Sequence, residues 1–301
     1  MENKVRMNST IKHIVLSGGG PSGIQTLGAL QHLEKNGYWN IDNIESIYAT
    51  SIGCIIAILI SLKFDWTTIN DYIIKRPWHE VVHLNINQVF GIFSKKGLYD
   101  ISIIHVFFKP FFDSLDMSLN ISFKEFFHLT KINLHFFSLD INRFLIDDFS
   151  YTSTPDLEVL TCAYMSSSIP LLFSPIHVDG KCYIDGGLLT NYPLKRCIEN
   201  IGEDKKGEIL GFKNSYIEEK EPIMNPESNI LHFITLIITK LIANCQKSES
   251  HMEIKIENEV MCNSKPMSIN YLHETIKSQE KREILLKSGI EYADHFIKNR
   301  L

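Results

Sequence analysis

The 301-residue chain carries 30 lysines and arginines against 35 aspartates and glutamates, for a net charge of -5, with 44% hydrophobic and 22% charged residues. That length is enough to bury a large core, and the ordinary, mildly acidic composition argues against a nucleic-acid partner. It offers no bulk attraction to an anionic membrane either, so any lipid contact must be local and apolar.

The first ten residues lack the apolar run of a signal peptide, and the chain is expected to be intracellular, cytoplasmic and at most peripheral to membranes. It reads as one domain over 1–301, with its motifs in 13–194 and a helical C-terminal part over 229–301. Six cysteines (Cys54, Cys162, Cys182, Cys197, Cys245, Cys262) are scattered without close pairs. This argues against a metal site and against a disulfide framework. No cofactor is expected.

His13 to Ser17 read as a short apolar strand that runs into Gly18-Gly19-Gly20-Pro21-Ser22-Gly23. Ile24, Leu27, Leu30 and Leu33 then recur at helical spacing up to Asn36-Gly37. A glycine turn at a helix N-terminus exposes N–H groups where the helix dipole is positive, which suits an anion. The anion is a dinucleotide pyrophosphate, a substrate phosphate or the oxyanion of an acyl transfer. Gly18, Gly20 and Gly23 have dinucleotide spacing, but the ribose-binding carboxylate expected about 20 residues on is missing: Glu34 falls within the helix and Asp42 in a turn.

From Glu45 to Ser61 an apolar, β-prone run meets a small-residue turn at Ser51 and passes straight into an apolar helical run. Ala49 and Gly53 flank the serine at two positions on either side, as in the nucleophile elbow Gly-x-Ser-x-Gly, here with Ala49 in the first glycine's place. The same pattern also arises as plain helix capping. Farther on, Ile103 to Phe112 form a dense aromatic cluster, either core or the wall of an acyl-chain pocket. Ser122-Phe-Lys-Glu125 is a capping box, and Ile132 to Ile141 alternate as a strand.

Thr161 to Ser168 read as a helix of small residues stopping before Pro170. Asp179-Gly180 between two short apolar strands signals a hairpin, and Asp185-Gly186-Gly187 ends its second strand. A polar loop is expected over Gly202 to Ser228, and a terminal helix over Glu274 to Lys298. The longest apolar run, Ile230 to Ala243, is interrupted by His232, Thr235, Thr239 and Lys240 and is too short to span a bilayer. It is either a core helix or a membrane-docking surface.

An anion-cradling loop, a serine at an elbow and a strand-end aspartate before two glycines occur in one order. Together with Ser166-Ser-Ser-Ile-Pro170, Phe173-Ser-Pro175 and Asn191-Tyr-Pro193, they resemble the patatin-like phospholipase family. The resemblance implies a three-layer α/β/α sandwich with a mainly parallel central sheet, and a lipid acyl hydrolase. It further implies a Ser-Asp dyad, with Ser51 as nucleophile and Asp185 as proton acceptor. The oxyanion would be held by N–H groups of Gly18, Gly19, Gly20 and Ile52, with Gly23, Ala49, Gly53, Gly186 and Gly187 supporting the motifs. A lipid substrate and transient contact with a membrane or lipid-droplet surface follow as the implied partners.

None of the twelve histidines sits in a motif that would bring it beside Ser51; His177 comes nearest. Two residues depart from the family pattern: Ala49 stands where glycine is usual, and Ser22 where the loop usually carries Arg or Lys. They motivate the alternative of a catalytically weak, lipid-binding or regulatory protein on the same fold.

Overall fold

The computed structural model describes residues 10–82, 94–216, 254–265 and 269–300, with scattered positions between 224 and 241. The expected Ile230 to Ala243 helix therefore lies largely outside the described residues. The central strands are β1 (His13–Leu16), β2 (Ser46–Ala49) and β4 (Asn133–Asp140), preceded in chain order by the short β3 (Gly97–Tyr99). Then come β5 (Leu145–Ser150), β6 (Leu171–Phe173), β7 (Ile176–Val178), β8 (Lys181–Asp185), β9 (Ile209–Tyr216) and β10 (Glu259–Ser264). The main sheet runs β10-β9-β1-β2-β4-β8-β7, with β5 also paired to β4.

Its five strands from β10 to β4 are parallel, while β5, β8 and β7 add antiparallel pairs at the other side. Strands covered on both faces should be apolar throughout, and every residue of β1 and β2 is buried. Alternation assigns the faces: Ile14, Leu16, Ile47, Ala49 and Phe136 point into the larger core, whereas Val15, Tyr48 and Phe137 point into a smaller one under the helix Leu194–Ile201. The expected α/β/α sandwich is the architecture found.

Two helices of the larger layer shape the site. α1 (Gly23–Lys35) follows the glycine loop, and α2 (Ile52–Ser61) follows Ser51. Eight of the ten α2 residues are buried, as an apolar helix inside a layered core requires. Each fully buried Ile or Leu stabilises the fold by roughly 1.5–3 kcal/mol. The helix Gln279–Lys298 lies directly on α1, so close that a Cβ at Gly289 would overlap the Gln25 backbone and one at Gly28 the Leu286 carbonyl.

Several expectations hold in detail. Ser122 and Glu125 form the reciprocal capping box, and Asp179 and Gly180 turn the β7–β8 hairpin with φ of 49° and 75°. Others need correction. The expected loop from Gly202 to Ser228 contains β9, because the apolar Ile209-Leu210-Gly-Phe212 run inserts beside β1. The C-terminal part is not purely helical, since it supplies β10. The terminal helix is two helices, Ile269–Lys277 and Gln279–Lys298, broken at Ser278, whose extended backbone and side chain cap the second by accepting from Lys281 N–H.

Candidate active site

Ser51 occupies the turn between β2 and α2 with φ 55° and ψ -127°, a conformation a side-chain-bearing residue adopts only when the surroundings impose it. Three contacts impose it. The Ser51 N–H donates to Ser166 Oγ at 3.0 Å, and Ser166 Oγ in turn donates to the Phe137 carbonyl at 2.6 Å. Gly53 lets α2 start directly against β1: a Cβ there would sit 2.8 Å from the Leu16 carbonyl oxygen. Ser51 makes no side-chain capping bond to α2, so the plain-cap reading fails.

The side chain instead turns to β8. Ser51 Oγ donates to Asp185 Oδ2 at 2.7 Å, and both residues are buried, at 6% and 5% exposure. Asp185 Oδ1 accepts from Gly187 N–H at 2.7 Å, so the carboxylate is held on one oxygen and presents the other to the serine. Gly186 and Gly187 form the tight turn beneath it, and a Cβ at Gly186 would overlap the Phe137 carbonyl. Burial pushes the Asp185 pKa up to about 6, against the opposing effect of the Ser51 and Gly187 hydrogen bonds. Among the described residues no histidine bonds to Ser51; His177, on β7, faces Cys182.

The glycine loop packs against the elbow: a Cβ on Gly18 would lie 3.1 Å from Ser51 Cβ. The three loop glycines are not equivalent. Gly18 N–H donates to the Asn191 carbonyl at 2.9 Å, so the expectation that Gly18 offers a donor is corrected. Among the described residues nothing takes the N–H of Gly19, Gly20 or Ile52. Gly23 starts α1, where a Cβ would clash with the Ile52 side chain. Ala49 ends β2 in ordinary extended backbone, with its methyl in the core, so the turn has no need of glycine there. Ser22 is fully buried.

In front of Ser51 opens an apolar cavity of about 270 Å³, bounded by Gly20, Ile52 and Ile55 near the serine and by Ile103, Phe107 and Ile276 among others. The aromatic cluster is divided between the two: Phe108, Phe111 and Phe112 are buried in the core, while Ile103 and Phe107 line the cavity. No group of potential metal ligands occurs among the described residues. Among them, too, no helix is long and apolar enough to cross a membrane.

A sequence model of patatin-like phospholipases matches residues 14–198, a span holding the glycine loop, the elbow and Asp185. The chain belongs to the patatin-like phospholipase family. Relatives of this patatin-like chain include the probable lipid hydrolase 463L of invertebrate iridescent virus 6, 30% identical over 203 residues, which are 65% of this chain and 66% of that protein. The uncharacterized protein R571 of Acanthamoeba polyphaga mimivirus is 26% identical over 197 residues, 64% of this chain and 65% of its own length. The aligned part thus spans slightly under two thirds of each relative. VipD of Legionella pneumophila shares the fold at a TM-score of 0.57 and 16% identity, over 96% of this chain and 67% of that one. In the heterodimeric ExoU-SpcU complex of Pseudomonas aeruginosa, the likeness has a TM-score of 0.51 at 16% identity, over 98% of this chain and 52% of that one.

Three contributors to the site have no role assigned by the sequence motifs. Ser166, within the Ser-Ser-Ser-Ile-Pro motif, holds the Ser51 amide. Asn191 accepts the Gly18 N–H through its carbonyl. Asn214 lies on β9, in the stretch expected to be a loop; the apolar Ile209 to Phe212 run just before it is the signal of the strand that carries it to the glycine turn.

Proposed function

We propose that the protein is a lipid acyl hydrolase, with Ser51 attacking the ester carbonyl and Asp185 taking its proton. The observation that carries this reading is the 2.7 Å hydrogen bond to Asp185 Oδ2 from Ser51 Oγ, on a serine that lines an apolar cavity. Attack forms the Oγ–carbon bond and moves the carbonyl π pair onto oxygen. The proton goes to Asp185, which passes it to the leaving alkoxide as the ester C–O bond breaks. Water then adds to the acyl-enzyme with Asp185 as base and releases the fatty acid.

A carboxylate is a weak base toward a hydroxyl, so stabilising the oxyanion must do much of the work. Gly20 and Ile52 line the space in front of Ser51, and their N–H groups, with that of Gly19 in the same turn, have no partner among the described residues and suit that role. The cavity would hold the acyl chain, whose burial contributes about 0.8 kcal/mol per methylene. The Ala49 departure leaves the elbow intact, which favours an active enzyme over the regulatory alternative.

The test is release of fatty acid from phospholipid vesicles and from p-nitrophenyl esters by the purified chain. Ester cleavage that Ser51→Ala abolishes supports the reading. A folded wild-type chain that binds vesicles yet cleaves no ester overturns it in favour of a lipid-binding protein.

A further inference from the structure

The side chain that most closely holds the glycine loop, Asn214, lies beyond the family-matched stretch of residues 14–198. Gly18 carbonyl oxygen accepts two side-chain amides, Asn214 Nδ2 at 2.8 Å and Asn191 Nδ2 at 3.4 Å. The peptide joining Gly18 and Gly19 is trans, since the described chain has no cis bond, and in a trans peptide N–H and C=O point in opposite directions. Drawing the Gly18 oxygen toward Asn214 therefore turns the Gly19 N–H the other way. Among the described residues that N–H has no partner.

Asn214 is itself held in place. Its N–H donates to Ser17 Oγ at 3.0 Å, and its Oδ1 lies 3.2 Å from Ser264 Oγ. With Oδ1 facing a hydroxyl and Nδ2 facing a carbonyl, the amide has one sensible orientation; the flipped form would set two acceptors against each other. Ser264 Oγ lies also 2.9 Å from Gln25 Oε1, so its single proton is shared between the Gln25 and Asn214 oxygens, and Gln25 Nε2 donates to the Asn263 carbonyl and to Ser288 Oγ, both at 3.1 Å. Asn214, Ser264 and Gln25 are 7%, 2% and 4% exposed. Such a buried chain tolerates little reorientation, because each misdirected group would be left unsatisfied.

We infer that Asn214, held by Ser264, is a positioning residue for the oxyanion site: it fixes the Gly18–Gly19 peptide so that the Gly19 amide is aimed at the developing charge before substrate arrives. The inference rests on the hydrolase reading above. Donors fixed in advance act on the transition state far more than on the bound ester. Loss of Asn214 should therefore appear in kcat and leave KM nearly alone.

The experiment compares wild type, Asn214→Leu and Ser264→Ala on p-nitrophenyl butyrate, together with inhibition by an alkyl trifluoromethyl ketone. Addition of Ser51 Oγ to that ketone places a full negative charge on the former carbonyl oxygen, with the serine proton on Asp185. Asn214→Leu should lower kcat about 10- to 100-fold with KM within about twofold, less than the roughly 10²- to 10³-fold that removing an oxyanion donor costs, because the Gly19 N–H is misaimed and not removed. Ki for the ketone should rise by the same factor as kcat/KM falls, which a merely loosened fold would not produce. Ser264→Ala, a milder change, should show the same pattern more weakly, about threefold. Unchanged kcat in both variants, or equal changes in kcat and KM, would overturn the inference while leaving the hydrolase reading in place. A wild-type chain without esterase activity would overturn both.

Discussion

Ser51 Oγ and Asp185 Oδ2 stand 2.7 Å apart although 134 residues separate them in sequence, and each is held by a different part of the sheet. The serine is fixed at the end of β2 through its amide to Ser166, and the aspartate at the end of β8 through Gly187. Since β2 and β8 both flank β4, its Phe136 paired with Ala49 and its Ser138 with Asp185, β4 sets the distance between the two groups.

Removing either member should disable both. Ser51→Ala and Asp185→Asn are each expected to lower kcat by at least about 10³-fold, and the double variant should lose little more, because the two act as one unit. Steady-state kinetics on a soluble ester check this.

Asp185 must be ionised to accept a proton, so kcat/KM should rise with pH through an acid limb near its pKa of about 6. Asp185→Glu, if active, should move that limb. A profile flat from pH 5 to 8 would exclude Asp185 as the base.

The same raised pKa costs stability. The folded protein binds the Asp185 proton more tightly than the unfolded chain does, so this contribution is full below about pH 4 and falls away as pH rises through about 6. The loss by pH 7 is about 3 kcal/mol. Asp185→Asn should therefore unfold at higher urea than wild type at pH 7, with the difference shrinking toward pH 4. Urea titrations at the two pH values measure it.

Much of this site could be read in the sequence, because its parts are local. A glycine run before a helix, a serine between an apolar strand and an apolar helix, and Asp-Gly-Gly after a short strand each bring their own backbone geometry. What escaped depends on long-range pairing. That β9 lies beside β1, bringing Asn214 to Gly18, follows from sheet order, and the Ile209 to Phe212 run does not say which strand it joins. Ser166 is one of three consecutive serines, and only the packed structure shows which of them meets the Ser51 amide.

Ser166→Ala should test that contact. It leaves the buried Ser51 N–H without an acceptor, a loss of about 1–3 kcal/mol. Lower stability by that amount, with turnover reduced as the elbow relaxes, is expected from thermal unfolding and kinetics.

The cavity makes a prediction about chain length. Thr275 and Ile276 bring the Ile269–Lys277 helix to its wall, and Arg282 ties that helix to the Ile74 and Arg76 carbonyls. Thr275→Phe should fill space without touching Ser51. Excluding two methylenes costs about 1.6 kcal/mol, so palmitate ester cleavage should fall more than tenfold relative to butyrate.

The central claim, that Ser51 is an activated nucleophile facing this cavity, is tested most directly by treating the folded protein with an alkyl fluorophosphonate and mapping the adduct by peptide mass spectrometry. The oxygen of the reactive serine bonds to phosphorus and fluoride leaves. The account predicts one adduct on the peptide containing Ser51, absent in Ser51→Ala and strongly slowed in Asp185→Asn. An unlabelled Ser51 in a folded chain, or an adduct on another residue that persists in Ser51→Ala, would contradict it.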